Sequence, residues 1–181
     1  MISFAMAHGF DDYRIFISAP GDVGPDREAC YDVIASVNET TAMPAKVLLV
    51  SVGLRENDHL SSFRSAVTDN VRWSTYFVQI FEDDWGDRDL FRKLFLKAKE
   101  FRDDESMPMR DIVVCLKNAP LERNPDVLAF RRELEEQSSV RLIKYGTPEE
   151  LKTQLLEVCS RWALESIEHA KAARELRPPA G

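Results

Sequence analysis

Tyr13-Arg14-Ile15-Phe16-Ile17-Ser18-Ala19-Pro20-Gly21-Asp22-Val23-Gly24-Pro25-Asp26-Arg27-Glu28 is the stretch whose reading decides the fold. Ile15, Phe16 and Ile17 form a short apolar run of β-branched and aromatic residues, the composition of a buried strand. From Ser18 to Gly24 there are two glycines and one proline, which is loop chemistry. Pro25 suits the first turn of a helix, where its missing N–H leaves nothing unsatisfied. Cys30, Val33, Ile34 and Val37 then recur at helical spacing, so one helix face is buried. The unit reads strand, polar loop, helix. In an open α/β sheet that loop lies at the carboxyl end of the strand, where ligands bind.

The pattern repeats along the chain. Lys46 to Val52 predicts a second strand, apolar on both faces as a covered parallel sheet requires. Tyr76 to Phe81, Asp111 to Lys117 and Val140 to Tyr145 predict three more. Between them lie a first helix ending near Glu39, where Thr40 to Ala45 with Pro44 breaks it, and amphipathic helices near 61–71, from Leu90 to about Phe101, and from Pro125 to about Gln137. In the second of these helices the buried positions are Phe63, Ala66 and Val67. Asn124 is a good N-cap, and Thr147-Pro148-Glu149-Glu150 has capping-box spacing before the last helix. Strands alternating with helices specify a parallel sheet covered on both faces. The expected fold is a three-layer flavodoxin-like α/β sandwich with a five-stranded parallel sheet in the order 2-1-3-4-5, its switch point between the first and third strands. The expected organisation is a leader over 1–12, one domain over 13–175, and a tail or linker over 176–181.

Composition narrows the function classes. With 181 residues, 44% hydrophobic and 30% charged, the chain can bury one ordinary core. A formal charge of −7 argues against a general nucleic-acid or anionic-membrane surface. No apolar run approaches the ~20 residues of a membrane span. Residues 1–12 lack a basic n-region and their apolar part is short, so no signal peptide is expected and the expected location is the cytoplasm. Cys30, Cys115 and Cys159 lie far apart within apolar patterns, the reading of reduced, buried thiols. His8, His59 and His169 have no ligand spacing, so no metal is expected, and no cofactor.

Two loops carry the candidate chemistry. The first holds Ser18, Gly21, Asp22 and Arg27, where backbone N–H groups and the helix N-terminus can receive a phosphate or ribose oxygen and Arg27 adds charge. The spacing is neither a Walker loop nor Gly-x-Gly-x-x-Gly. After the third strand, Glu82-Asp83-Asp84-Trp85-Gly86 offers carboxylates that can perturb one another's protonation and an indole that can stack on a base. Both loops are expected in one crevice. Arg131, Arg132, Glu133, Glu135 and Glu136 are expected on the wet face of the fourth helix.

Arg14-Ile15-Phe16-Ile17-Ser18, then Asp22, then Arg27-Glu28 resembles the opening of a bacterial domain of unknown function often placed N-terminal to signalling ATPase or repeat modules. Its usual form is a Val-Phe-Ile-Ser-Ser strand followed by Asp and a Glu-Arg pair. Here the second Ser is Ala19 and the pair is reversed. Trp85-Gly86 is similar to that family's Tyr-Gly after its third strand, and the resemblance spans residues 13 to 117. The wider superfamily includes Toll/interleukin-receptor-like (TIR-like) domains and nucleoside deoxyribosyltransferases. Its enzymes cleave N-glycosidic bonds with a Glu on the helix after the third strand. The corresponding segment here, Asp89 to Ala98, contains no Glu, and Glu100 comes late.

The resemblance therefore implies a TIR-like signalling or defence module, non-catalytic, sensing a nucleotide or nucleoside or binding a protein partner or fused signalling domain. The alternative is an N-glycosidase or deoxyribosyltransferase-like enzyme acting on NAD or nucleosides, with Asp83, Asp84 or Asp89 replacing the missing Glu. The ligand-binding set is Ser18, Gly21, Asp22, Arg27, Trp85 and Gly86.

Overall fold

The computed structural model describes residues 9–19, 23–53, 64–82, 90–119, 123–136 and 139–176. In chain order the elements are β1 (Asp11–Ser18), α1 (Gly24–Val37), β2 (Val47–Gly53), α2 (Arg64–Arg72), β3 (Tyr76–Phe81), α3 (Leu90–Asp103), β4 (Asp111–Lys117), α4 (Pro125–Glu136), β5 (Arg141–Tyr145) and α5 (Pro148–Glu175). All strand pairs are parallel and the order is β2-β1-β3-β4-β5. This is the flavodoxin-like arrangement expected from the sequence. β1 lies between β2 and β3, so the switch point falls between β1 and β3.

Strand alternation divides the core into two layers. Ile15, Ile17, Tyr76, Val78, Val113 and Cys115 point to one face, where they meet α1 and α5. Phe16, Phe77, Phe81, Ile112 and Val114 point to the other, against α2, α3 and α4. Both faces of the central strands are thus dry, which is why those strands read as unbroken apolar runs. On the first face Trp162 of α5 is fully buried, stacked on Tyr76 with ring centroids 4.5 Å apart. Its indole N–H donates to Asp111 Oδ2 (2.8 Å), and the Tyr76 hydroxyl bonds Ser166 Oγ (3.0 Å). Both aromatic polar atoms are therefore satisfied inside the core, as buried Tyr and Trp require.

Several boundaries differ from the sequence reading. β1 starts at Asp11, two residues inside the expected leader, because Asp11 is paired rather than solvated. Arg174 near the end of α5 meets Asp11 Oδ2 through Nη2 (2.7 Å) and Nε (2.9 Å), and its Nη2 also donates to the Lys46 carbonyl (3.0 Å). Lys46 belongs to a turn with φ of 59°, so β2 begins at Val47. The expected break after α1 is instead a continuation: a π-helical turn over Asn38–Ala42, then a 3₁₀ turn over Met43–Ala45. Pro44 is accommodated at the start of that 3₁₀ turn, where it lacks no needed donor.

The capping box before α5 forms with one arm shifted. Thr147 Oγ1 accepts from the Glu150 N–H (3.3 Å), while Glu150 Oε2 accepts from the N–H of Gly146 rather than Thr147 (2.7 Å). Asn124 caps α4 through the Asp126 N–H (3.0 Å). Val67 is buried as expected; Phe63 and the Ala66 side chain lie outside the described residues. The three cysteines are free and buried in one core layer. Among the described residues no helix is long and apolar enough to cross a membrane.

Candidate functional site

Ser18 ends β1 and is paired in register with Gln79 of β3, so the two flank the switch point. Both side chains lie on the α2/α3 face and both are 1% exposed. Gln79 Nε2 donates to the carbonyls of Ser18 (3.1 Å) and Ile80 (2.9 Å). Gln79 Oε1 and Ser18 Oγ have no hydrogen-bond partner among the described residues. Buried polar atoms left this way each cost about 1–3 kcal/mol, so two at the switch point call for an explanation.

Beside them Arg27, on the first turns of α1, donates from Nη2 to the carbonyl of Ala19 (2.9 Å). The guanidinium thus holds the chain as it leaves β1, a positioning part rather than only a charge offered to a ligand. At the edge of β2, Gly53 lies opposite Ile17. A Cβ there would stand 2.8 Å from the Ile17 carbonyl oxygen, so only glycine permits this approach of β2 to β1.

On the α1/α5 face the same edge carries an ionic cluster. Lys117, the last residue of β4, sends its ammonium to Asp26 Oδ2 (3.2 Å) and Glu82 Oε2 (3.3 Å). Asp26 is in the first turn of α1 and fully buried. The positive end of the α1 dipole favours its charge. Burial alone would lower the Lys117 pKa, but the Asp26 and Glu82 carboxylates outweigh it and hold the ammonium above the ordinary lysine value. Arg131 donates to the carbonyls of Glu82 and Lys117, both at 2.7 Å, tying the ends of β3 and β4 together from α4. Arg131 is therefore half-buried at this edge and not part of the wet helix face expected for it.

Tyr145 closes β5 next to Lys117 in register. Burial raises its hydroxyl pKa strongly, and the nearby Asp26 charge raises it further. Yet Tyr145 Oη and Asp26 Oδ1 form no hydrogen bond of normal geometry with each other or with any described residue. At the carboxyl edge, Ser18 Oγ, Gln79 Oε1, Asp26 Oδ1 and Tyr145 Oη are thus buried polar atoms without a hydrogen-bond partner of normal geometry among the described residues.

Of the residues expected from the sequence, Ser18 and Arg27 reach this edge. Gly21, Asp22, Asp83, Asp84, Trp85, Gly86 and Asp89 lie outside the described residues. Asp26, Gln79, Lys117, Arg131 and Tyr145 belong to the edge and were not expected there. One signal pointed to two of them: Gln79 and Lys117 are the polar interruptions near the carboxyl ends of otherwise apolar strands.

No family model matches the chain, and no curated protein matches it. Among solved structures the chain is similar to the metal-soaked Flv1 flavodiiron core from Synechocystis sp. PCC6803, at a TM-score of 0.45 and 13% identity. The similarity covers 91% of this chain and 37% of that one, so the chain spans little more than a third of that structure's length.

Proposed function

We propose that this chain is a non-catalytic TIR-like module that senses a nucleotide or nucleoside at the carboxyl edge of its sheet, in a signalling or defence setting. The observation that carries the ligand site is the Ser18–Gln79 pair, a hydroxyl and an amide oxygen buried without partners at the switch point. A hydroxyl and an amide are the donor–acceptor set that ribose hydroxyls or a base edge would satisfy. Lys117 adds a cation at the same edge; its Glu82 contact is partly exposed and can be exchanged for a phosphate oxygen. The TIR-like assignment rests on the opening-strand motif Arg14 to Ser18 with Arg27-Glu28.

The test is titration of ATP, NAD and adenosine against the wild type, Ser18→Ala and Lys117→Met, followed by calorimetry and by thermal unfolding. Ser18→Ala removes an unpartnered hydroxyl, so its Tm is expected to hold or rise while ligand affinity falls tenfold or more. No binding of any of the three by the wild type would overturn the ligand-sensing reading in favour of a protein-interaction module. Release of free base from NAD or adenosine would overturn the non-catalytic reading.

A further inference from the structure

The opposite end of the sheet carries a second polar site. An open groove of about 520 Å³ lies where the amino ends of β4 and β5 meet the middle of α5. A seven-residue strand puts it about 20 Å from the Lys117 edge. Its walls include Arg110, Arg141 and Arg161 against two carboxylates, Asp111 and Glu165.

Those carboxylates do not neutralise the three guanidiniums equally. Asp111 is fully engaged: Oδ2 takes Arg161 Nη2 (2.6 Å) and the Trp162 indole N–H (2.8 Å), and Oδ1 takes the Ile112 N–H (2.9 Å). This fixes the Arg161 guanidinium in place. Glu165 stands 3.5 Å from Arg161 Nε without forming a hydrogen bond to it. Among the described residues the carboxylate that Arg141 reaches is Glu157, at 3.9 Å, and the Glu157 side chain is 84% exposed. Arg110 has no carboxylate partner among the described residues, and its guanidinium lies 5.8 Å from the centre of the Tyr13 ring. The groove thus presents one rigid guanidinium and two without a close counter-ion, in a chain whose net charge is −7.

We infer that this groove binds a phosphate-bearing anion carrying two or more charges. Guanidinium forks match phosphate oxygens bidentately, and two such groups around one groove favour a doubly charged anion over a single carboxylate. The groove is larger than one phosphate needs, so a diphosphate or an organic phosphate fits it. The site is independent of the nucleotide reading at the other edge, since no residue is shared.

The experiment uses inorganic pyrophosphate, with citrate as a carboxylate of similar charge, followed by ¹H–¹⁵N NMR. The Trp162 indole N–H reports locally, because it is bonded to Asp111 in the groove wall. Pyrophosphate is expected to shift the Trp162 indole and Val140 amide signals saturably, with binding weakened tenfold or more in Arg141→Gln and in Arg110→Gln. Arg141→Gln is the primary variant, since the ion pair its side chain makes among the described residues is the long Glu157 contact; retained Tm shows that it folds. Absence of saturable shifts in the wild type, equal affinity in the folded variants, or binding of citrate as tight as pyrophosphate would each overturn the inference.

Discussion

Asn38 pairs with the backbone of Leu49 as though it were another strand: its Nδ2 donates to the Leu49 carbonyl and its Oδ1 accepts the Leu49 N–H, both at 2.8 Å. β2 is an edge strand, and an edge presents unpaired donors and acceptors. The π-helical turn that continues α1 supplies the side chain that closes this one. Replacing Asn38 by Ala removes both bonds and is expected to destabilise the domain by about 1–3 kcal/mol. Asn38→Asp, which sets a buried carboxylate oxygen against the Leu49 carbonyl, should lose at least as much. Chemical denaturation together with amide exchange at Leu49 checks both, and exchange as slow in Asn38→Ala as in the wild type would contradict this role.

Lys117→Met leaves the fully buried Asp26 without its cation. A stranded buried charge costs about 3 kcal/mol or more, whereas replacing both partners by neutral groups is often nearly neutral. The single variant should therefore be much less stable than Asp26→Asn/Lys117→Met. A double-mutant cycle measured by urea unfolding tests this, and a double variant no better than the single would show that Lys117 acts through packing instead.

The His169 imidazole bonds the Tyr13 hydroxyl through Nδ1 (2.8 Å). Partial desolvation of the ring and then the Arg110 charge lower its pKa below the ordinary 6.5. A folded-state pKa depressed below the unfolded value means that the unfolded chain binds the proton first. The contribution is thus fully present above pH 6.5 and is lost as pH falls below it. Because His169 is exposed, the effect should be small. Unfolding midpoints compared between pH 7.5 and 5.0 should fall more for the wild type than for His169→Gln.

Burial pushes all three thiols up, Cys159 to about 12 and Cys30 and Cys115 well above the ordinary range. Thiolate is the reactive form, so native protein at pH 8 should react with a disulfide reagent only as fast as it opens. Stopped-flow mixing should show three slow thiols that become fast in denaturant. Rapid reaction of any of them in the native state would contradict its place in the core.

What the sequence revealed and concealed follows one physical line. Strands buried on both faces, such as Tyr76 to Phe81, announce themselves because little that is polar dilutes the run, and five strands with helices between them admit few topologies. Asp11 hid the start of β1 because its charge is met by Arg174, 163 positions away. Thr40 to Ala45 resembled a helix break because the benefit of continuing past Asn38 lies in Leu49, which no local propensity records. The same distance concealed the edge cluster. Asp26 looked like an ordinary acid in a first helical turn, and only the pairing with Lys117, 91 positions on, makes it a buried ion pair. Ser18 and Arg27 were legible because the first loop announces itself by composition. Gln79 stands out as the polar interruption of an apolar strand, but one amide does not say what it meets.

The Arg174–Asp11 contact places the point where the polypeptide enters the domain within ion-pair distance of the point where it leaves. A chain that enters and exits side by side can be spliced into an exposed loop of a larger host without stretching either partner, and joining the two points while opening a loop elsewhere should preserve the sheet. Topologically, the domain behaves as a closed circuit.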